Sequence, residues 1–246
     1  MKSNNKKKIL IAGGNGLIGQ EIIKHGSKKF EFIIVDKIKK QKKNFIKCDI
    51  NNYQSLKSLE KKLDKEKITL YAVINATHPT KLINKHFLNT NFKIFEKYIL
   101  SHLRSYYIFT YYFFNYFKNR KIKNAKIINF SSIYGKYIPN FNIYTGTNIK
   151  SPIEYSISKS GINIMTKYFS RYAKFLKIQI YINCISPAGI YDKSKISNQF
   201  RKKYKKSYKS DMLKKSKVAL YTYKLLSEKN KTSGKNIIIT GGGKFN

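Results

Sequence analysis

Tyr155 and Lys159 place a phenol and an ammonium four residues apart, on one face of a helix and about one turn from each other. A tyrosine titrates near ~10, and an adjacent cation favours its phenolate, which moves the pair toward the range useful for transferring a proton. Spacing alone does not single out this pair. Tyr53/Lys57 and Tyr191/Lys195 repeat it in a chain with 20 tyrosines, and such pairs are ordinarily solvated helix faces. Tyr155 is distinguished by its setting: it opens a helix with a clear apolar face and follows a strand that ends at Ser131-Ser132.

A second chemical signal lies near the start of the chain. Ile9 to Ala12 form an unbroken apolar run, as expected of a strand buried on both faces, and Leu17, Ile18, Ile22 and Ile23 recur at helical spacing. Between them, Gly14, Gly16 and Gly19 fit G-x-G-x-x-G, the turn that lets backbone approach a pyrophosphate at a helix N-terminus. The next strand, Phe32 to Val35, closes on Asp36, where a carboxylate would accept hydrogen bonds from a ribose and repel a 2′-phosphate. NAD is therefore expected in preference to NADP, against the opposing effect of Lys37, Lys39 and Lys40. Candidate cofactor contacts are Gly13, Asn15, Gly16, Leu17, Ile18, Gly19 and Asp36, with Asp49, Ile50, Asn75, Ala76, Pro187, Gly189 and Ile190 beyond the ends of later strands.

The elements that must position these groups alternate. After Asp36 come a basic linker, a strand Asn44 to Lys47, a helix Ser55 to Leu63, and a strand Leu70 to Ile74. A looser helical region from His86 to Phe95 precedes a long aromatic helix, Tyr98 to Phe117. Strand Lys126 to Phe130 leads to a polar, aromatic loop (133–152) and then to helix Glu154 to Phe175, for which Ser151-Pro152 reads as cap and first-turn proline. Strand Ile178 to Asn183 follows. The lysine-rich segment 191–211 shows no hydrophobic periodicity and reads as a loop or mobile helical pair on the substrate side. Helix Met212 to Leu226 and strand Asn236 to Thr240 finish the chain. This alternation predicts one α/β domain over 1–246, a Rossmann-type doubly wound parallel sheet of about seven strands with helices on both faces. Ligands of such sheets bind beyond the carboxyl ends of the strands.

Composition sets the outer bounds. With 51 Lys+Arg against 12 Asp+Glu, the formal charge is +39. The lysines are dispersed and travel with Asn, Ile and Tyr, so coding bias explains them better than a nucleic-acid surface, and no nucleic-acid partner is expected. An anionic substrate is compatible with such a charge. Cys48 and Cys184 stand far apart, outside any C-x-x-C, so neither a disulfide framework nor a metal site is indicated. His25, His78 and His86 lack ligand-like spacing and read as surface or loop histidines. The lead before the first strand leaves no room for a signal peptide, and His102, Arg104 and Asn115 interrupt the aromatic helix, so a cytoplasmic protein without a membrane span is expected.

The glycine turn, Asn75-Ala76, Ser131-Ser132, Tyr155-x-x-x-Lys159 and Ser186-Pro187-Ala188-Gly189 together resemble the short-chain dehydrogenase/reductase family over Lys8 to Gly243. That resemblance implies a nicotinamide-dependent oxidoreductase acting between a secondary alcohol and a ketone. Tyr155 would be the acid/base. Lys159 would lower its pKa and hold the nicotinamide ribose, and Ser132 would orient the substrate. His102 stands where the family has an asparagine holding a proton-relay water; histidine can donate and accept, so it is counted with the catalytic set. The stretches around Ser131 to Ile162, Asn183 to Asp192 and Ser233 to Gly243 are similar to a flagellin-modification subgroup associated with surface-glycan and nonulosonic acid sugars. Its implied substrate is a sugar or sugar nucleotide, with Tyr144 to Asn148 as a sugar contact or, equally, a partner-facing loop. The resemblance also implies a homodimer or homotetramer formed through the Tyr98–Phe117 and Glu154–Phe175 helices. Ala12, Ile74-Asn75-Ala76-Thr77, Ala188 and Thr240 depart from the family pattern. A non-catalytic dinucleotide-binding relative, with a regulatory or scaffolding role, is the rival reading, and His102 is its chief support.

Overall fold

The computed structural model describes residues 6–37, 44–78 and 90–245. Seven strands make one sheet: β1 (Lys7–Ala12), β2 (Phe30–Asp36), β3 (Phe45–Lys47), β4 (Leu70–Asn75), β5 (Ala125–Phe130), β6 (Ile180–Pro187) and β7 (Asn236–Ile239). Their order is β3-β2-β1-β4-β5-β6-β7, with every neighbouring pair parallel. The chain builds outward in one direction from β1 to β3 and in the other from β4 to β7. The reversal leaves a crevice beside β1 at the carboxyl ends of the strands.

Among the described residues, six α-helices cover the sheet: α1 (Leu17–Gly26), α2 (Tyr53–Lys65), α3 (Phe92–Asn119), α4 (Ile153–Phe175), α5 (Asn198–Tyr208) and α6 (Lys215–Leu226). Alternation within β1 shows how one strand serves two cores. Leu10 and Ala12 join the cluster formed with α2, α3 and α4, while Ile9 and Ile11 join the one that includes Ile22 of α1 and Val218 of α6. This is the predicted doubly wound Rossmann-type domain.

Several boundaries differ from expectation. The aromatic helix begins at Phe92, because the Asn91 side chain caps it by accepting from the Ile94 N–H at 3.1 Å. It thus absorbs the end of the expected looser helical region, whose residues 86–89 lie outside the described ones. Ser151-Pro152 does not act as a cap and first-turn pair: Pro152 itself occupies the cap position, and no side chain closes the turn. β6 extends through Ile185 to Pro187, since β7 pairs with it there.

The largest correction concerns segment 191–211. Ser197 accepts from the Phe200 N–H at 3.2 Å and starts α5, which buries Phe200, Tyr204 and Tyr208 on one face. These three do recur at helical spacing; the intervening lysines obscure an apolar stripe only one residue wide. The aromatic helix is also better covered than its composition suggests, since Tyr106, Phe109, Tyr112, Phe113, Phe114, Tyr116 and Phe117 are buried within one chain. Lys39 and Lys40, weighed against Asp36 above, lie outside the described residues.

Candidate active site

The two serines that end β5 have different tasks. Ser131 Oγ donates to the Lys159 backbone oxygen at 2.8 Å, tying β5 to α4. Ser132 Oγ accepts from the Tyr134 N–H at 3.2 Å, and its hydroxyl also hydrogen-bonds the phenol of Tyr155. Of the pair, only Ser132 therefore shares a hydroxyl contact with Tyr155. Lys159 is nearly inaccessible, and its Nζ lies 5.6 Å from the Tyr155 ring centroid and 5.3 Å from that of Tyr106. The other two Tyr/Lys pairs separate from this cluster. Lys57 lies over Tyr53 on α2, and Tyr191 receives the Arg201 guanidinium instead of Lys195.

Electrostatics correct one expectation. Burial raises the Tyr155 pKa above its ordinary value, and the Ser132 hydrogen bond works in the opposite direction. The cation beside it is itself depressed, because desolvation brings Lys159 down to about 7. Lys159 is thus poised near neutrality, while Tyr155 is a protonated phenol.

The crevice beside β1 fits a dinucleotide. Gly13 has φ +76, and a Cβ there would lie 2.8 Å from the Ala76 carbonyl oxygen; one on Gly19 would lie 2.3 Å from the Gly13 oxygen. The turn packs backbone against backbone as a pyrophosphate cradle requires. Asn15 has both side-chain polar atoms buried without a hydrogen-bond partner among the described residues. Asn75 uses Oδ1 for Thr77, at 3.2 and 2.7 Å, and its Nδ2 has no hydrogen-bond partner among the described residues. Buried orphan groups of this kind are costly unless a ligand satisfies them. Gly16, Leu17 and Ile18 start α1, Asp36 ends β2, and Asp49 and Ile50 follow β3. Lys37 is drawn to Asp49, 3.1 Å away, and not solely toward a ligand. Pro187 ends β6; Gly189 and Ile190 follow it and pair with Leu213. A Cβ on Gly189 would meet Tyr204 at 2.8 Å, so this glycine makes room for α5.

His102 is buried and joins the cluster directly, with Nε2 3.2 Å from Lys159 Nζ and Nδ1 3.0 Å from Tyr98 Oη. Three residues escaped the sequence reading. His78, taken as an ordinary loop histidine, is exposed in a loop, but its ring lies edge-on to Tyr155 at 5.7 Å and to His102 at 5.5 Å. Desolvation, then Lys159 and Lys195, lower its imidazole to about 4. Tyr106 donates from its hydroxyl to the Asn75 and Thr77 carbonyls at 3.2 and 3.0 Å, holding the end of β4 in place. Tyr98 is the third. Tyr98, His102 and Tyr106 form one i, i+4, i+8 stripe on α3, a signal visible in the sequence but indistinguishable there from ordinary core.

On the other side of Tyr155, loop 133–152 is braced by phenols. Tyr144 donates to Tyr134 Oη at 2.9 Å, Tyr134 and Tyr208 hydroxyls lie 3.2 Å apart, and Tyr208 Oη accepts from the Asn140 N–H at 3.1 Å. Tyr144, expected to face a sugar or a partner, is therefore engaged with Tyr134.

The family model described as enoyl-(acyl carrier protein) reductase matches residues 25–244, beginning after the glycine turn. A stretch of 117 residues is 32% identical to the post-translational flagellin modification protein A of Campylobacter coli, covering 47% of this chain and 44% of that relative. The fold is similar to the crystal structure of a short chain dehydrogenase from Leptospira borgpetersenii with bound NAD+, at a TM-score of 0.85 and 28% identity, covering 96% of this chain and 92% of that one. ElxO with NADP bound has the same fold, at a TM-score of 0.78 and 20% identity, covering 96% of this chain and 98% of its own. Among the described residues no helix is long and apolar enough to cross a membrane.

Proposed function

Because the chain belongs to the short-chain dehydrogenase/reductase family, we propose that it is an NAD-dependent oxidoreductase interconverting a secondary alcohol and a ketone on a sugar or sugar nucleotide. The observation that carries this reading is the convergence of Ser132, Tyr155 and Lys159 at the carboxyl edge of the sheet, beside a crevice with unpartnered buried amides. The nicotinamide, when bound, supplies the hydride donor or acceptor. Gly13, Asn15, Gly16 and Gly19 would hold its pyrophosphate, Asp36 its adenosine ribose, and Asn75 and Lys159 the nicotinamide half.

In the reducing direction Tyr155 gives its phenolic proton to the developing alkoxide; in the oxidising direction the phenolate removes the hydroxyl proton. Ser132 orients the reacting oxygen. Lys159 stabilises the phenolate by its charge and draws on two acceptors, Phe130 O at 3.0 Å and His102. An ammonium has three donors, so one remains for a ligand. His102 was the main ground for a non-catalytic relative, and its contact with Lys159 supports the enzyme instead.

A glycan-pathway substrate is supported by the similarity to the flagellin modification protein, and an anionic one by Lys195, whose charge lies near enough to His78 to help depress its imidazole. A cytoplasmic setting belongs to the same reading, as both cysteines are buried free thiols. The test is turnover of NAD(H) with a panel of keto sugars and sugar nucleotides. Tyr155→Phe should reduce kcat by about 10²–10⁴-fold with cofactor affinity nearly unchanged. Retained turnover in that variant would overturn the assignment.

A further inference from the structure

Among the described residues, His102 is met by Lys159 from α4, by His78 from the loop after β4, and by Tyr98 and Tyr106 from its own helix. Only two of these touch its ring nitrogens: Lys159 Nζ at Nε2, 3.2 Å, and Tyr98 Oη at Nδ1, 3.0 Å.

These contacts restrict the proton positions. An ammonium has donors and no acceptor, so a protonated Lys159 requires a bare lone pair on Nε2. A neutral imidazole carries one N–H, which must then sit on Nδ1 and donate to Tyr98 Oη. Were the proton on Nε2, it would face the ammonium, and Tyr98 would have to turn its own O–H toward Nδ1. The hydroxyl is the ring's only contact at Nδ1 among the described residues, in a place with no accessible surface at Tyr98 and almost none at His102. Its loss would leave a buried N–H without an acceptor.

We infer that Tyr98 is a positioning residue that locks His102 in its Nδ1–H tautomer, so that Nε2 accepts directly from the Lys159 ammonium. This rests on the oxidoreductase reading for its consequence, though not for the tautomer itself. Burial, then Lys159 and His78, hold the His102 imidazole well below its ordinary range, in keeping with a ring that stays neutral while it accepts. Tyr98, through His102, thereby favours the charged form of Lys159 that supports Tyr155.

The tautomer is read by long-range 15N–1H correlation spectra of protein labelled at its four histidines, with His102→Asn identifying the His102 signals. At pH 6 the wild type should show His102 neutral and protonated at Nδ1. Tyr98→Phe should shift it toward the Nε2–H form and move the alkaline limb of kcat, where Lys159 loses its proton, down by about one pH unit, a tenfold change in that equilibrium. Against a His102→Asn background, Tyr98→Phe should leave that limb in place, because Tyr98 acts only through the imidazole. An Nε2–H tautomer in the wild type overturns the inference, even if Tyr98→Phe fails to fold. So does an equal shift of the limb in both backgrounds. A protein without dehydrogenase turnover but with the Nδ1–H tautomer would overturn the oxidoreductase reading and leave the lock standing.

Discussion

Asp36 and Lys159 are single charges whose surroundings make opposite predictions. Asp36 ends β2, where we propose that it meets the adenosine ribose, and Lys37, the nearest following cation, is paired with Asp49. Asp36→Ala should therefore raise NADP(H) affinity by roughly tenfold and weaken NAD(H), as measured by titrating both cofactors. No gain in NADP(H) affinity would show that this carboxylate does not set the choice. Lys159 is held at about 7 by burial, against an unfolded value near 10.5. The unfolded chain thus binds more protons between those values, so this lysine costs stability fully below pH 7 and progressively less as pH rises toward 10.5. Lys159→Met should raise Tm by on the order of 5 °C at pH 6 and by much less at pH 9.5. An increment equal at both pH values would show that Lys159 is not desolvated in the folded protein. Tyr155 and the Ser131-Ser132 pair stood out in the sequence because each sits at a point fixed by local pattern, a helix start or a strand end, while the family resemblance chose Ser132 of the two serines. His78 did not, because only the sheet order brings the loop after β4 against α4.

At the scale of elements, α5 stands apart. Its buried side chains form a cluster with Ile143 and Met212, separate from the two cores that sandwich the sheet. Arg201 on α5 pairs with Asp211 at 2.8 Å, and Tyr204 accepts from the Gly189 N–H at 3.1 Å, so the helix is pinned to the end of β6 and to the segment before α6. An element held by its own small cluster opens without opening the sheet. Phe200→Ala should accelerate hydrogen exchange across 191–211 and raise substrate KM, while lowering Tm less than Leu56→Ala, whose side chain fills the larger core and whose loss costs about 2–5 kcal/mol. Equal Tm losses would mean that α5 and the sheet unfold together. Six of the seven strands were read to within two residues because parallel-sheet strands are continuous apolar runs, whereas β6 was read four residues short of its end at Pro187. α5 was left open between a loop and a mobile helical pair because its single apolar stripe is diluted by lysines, and lysine density in this chain carries no information about exposure of the residues between.

For the whole molecule, two forces oppose each other. The aromatic count on α3 does not by itself require a partner, since the sheet and α4 cover most of it. What is left uncovered is a patch across both helices, with Tyr107 and Tyr111 stacked at 6.0 Å on α3 and Ile164, Tyr168, Tyr172 and Phe175 exposed on α4. Contiguous apolar surface of this kind favours self-association, and we propose that this face joins two copies. Each copy, however, brings a formal charge of +39, and Arg104, Lys118, Lys167 and Arg171 lie on the same two helices. Repulsion between such bodies acts over about 30 Å at 0.01 M salt and about 8 Å at 0.15 M, whereas apolar contact is little affected across that range. Association should therefore strengthen with salt: sedimentation equilibrium should find a dimer or tetramer near 0.15 M, dissociating toward monomer near 0.01 M. Tyr168→Lys should leave a monomer at both, because it places a further ammonium beside Lys167 and Arg171 within the apolar contact. A wild type monomeric at 0.15 M and micromolar concentration would refute the assignment, and an oligomer that tightens as salt is removed would place its interface on charged rather than apolar surface.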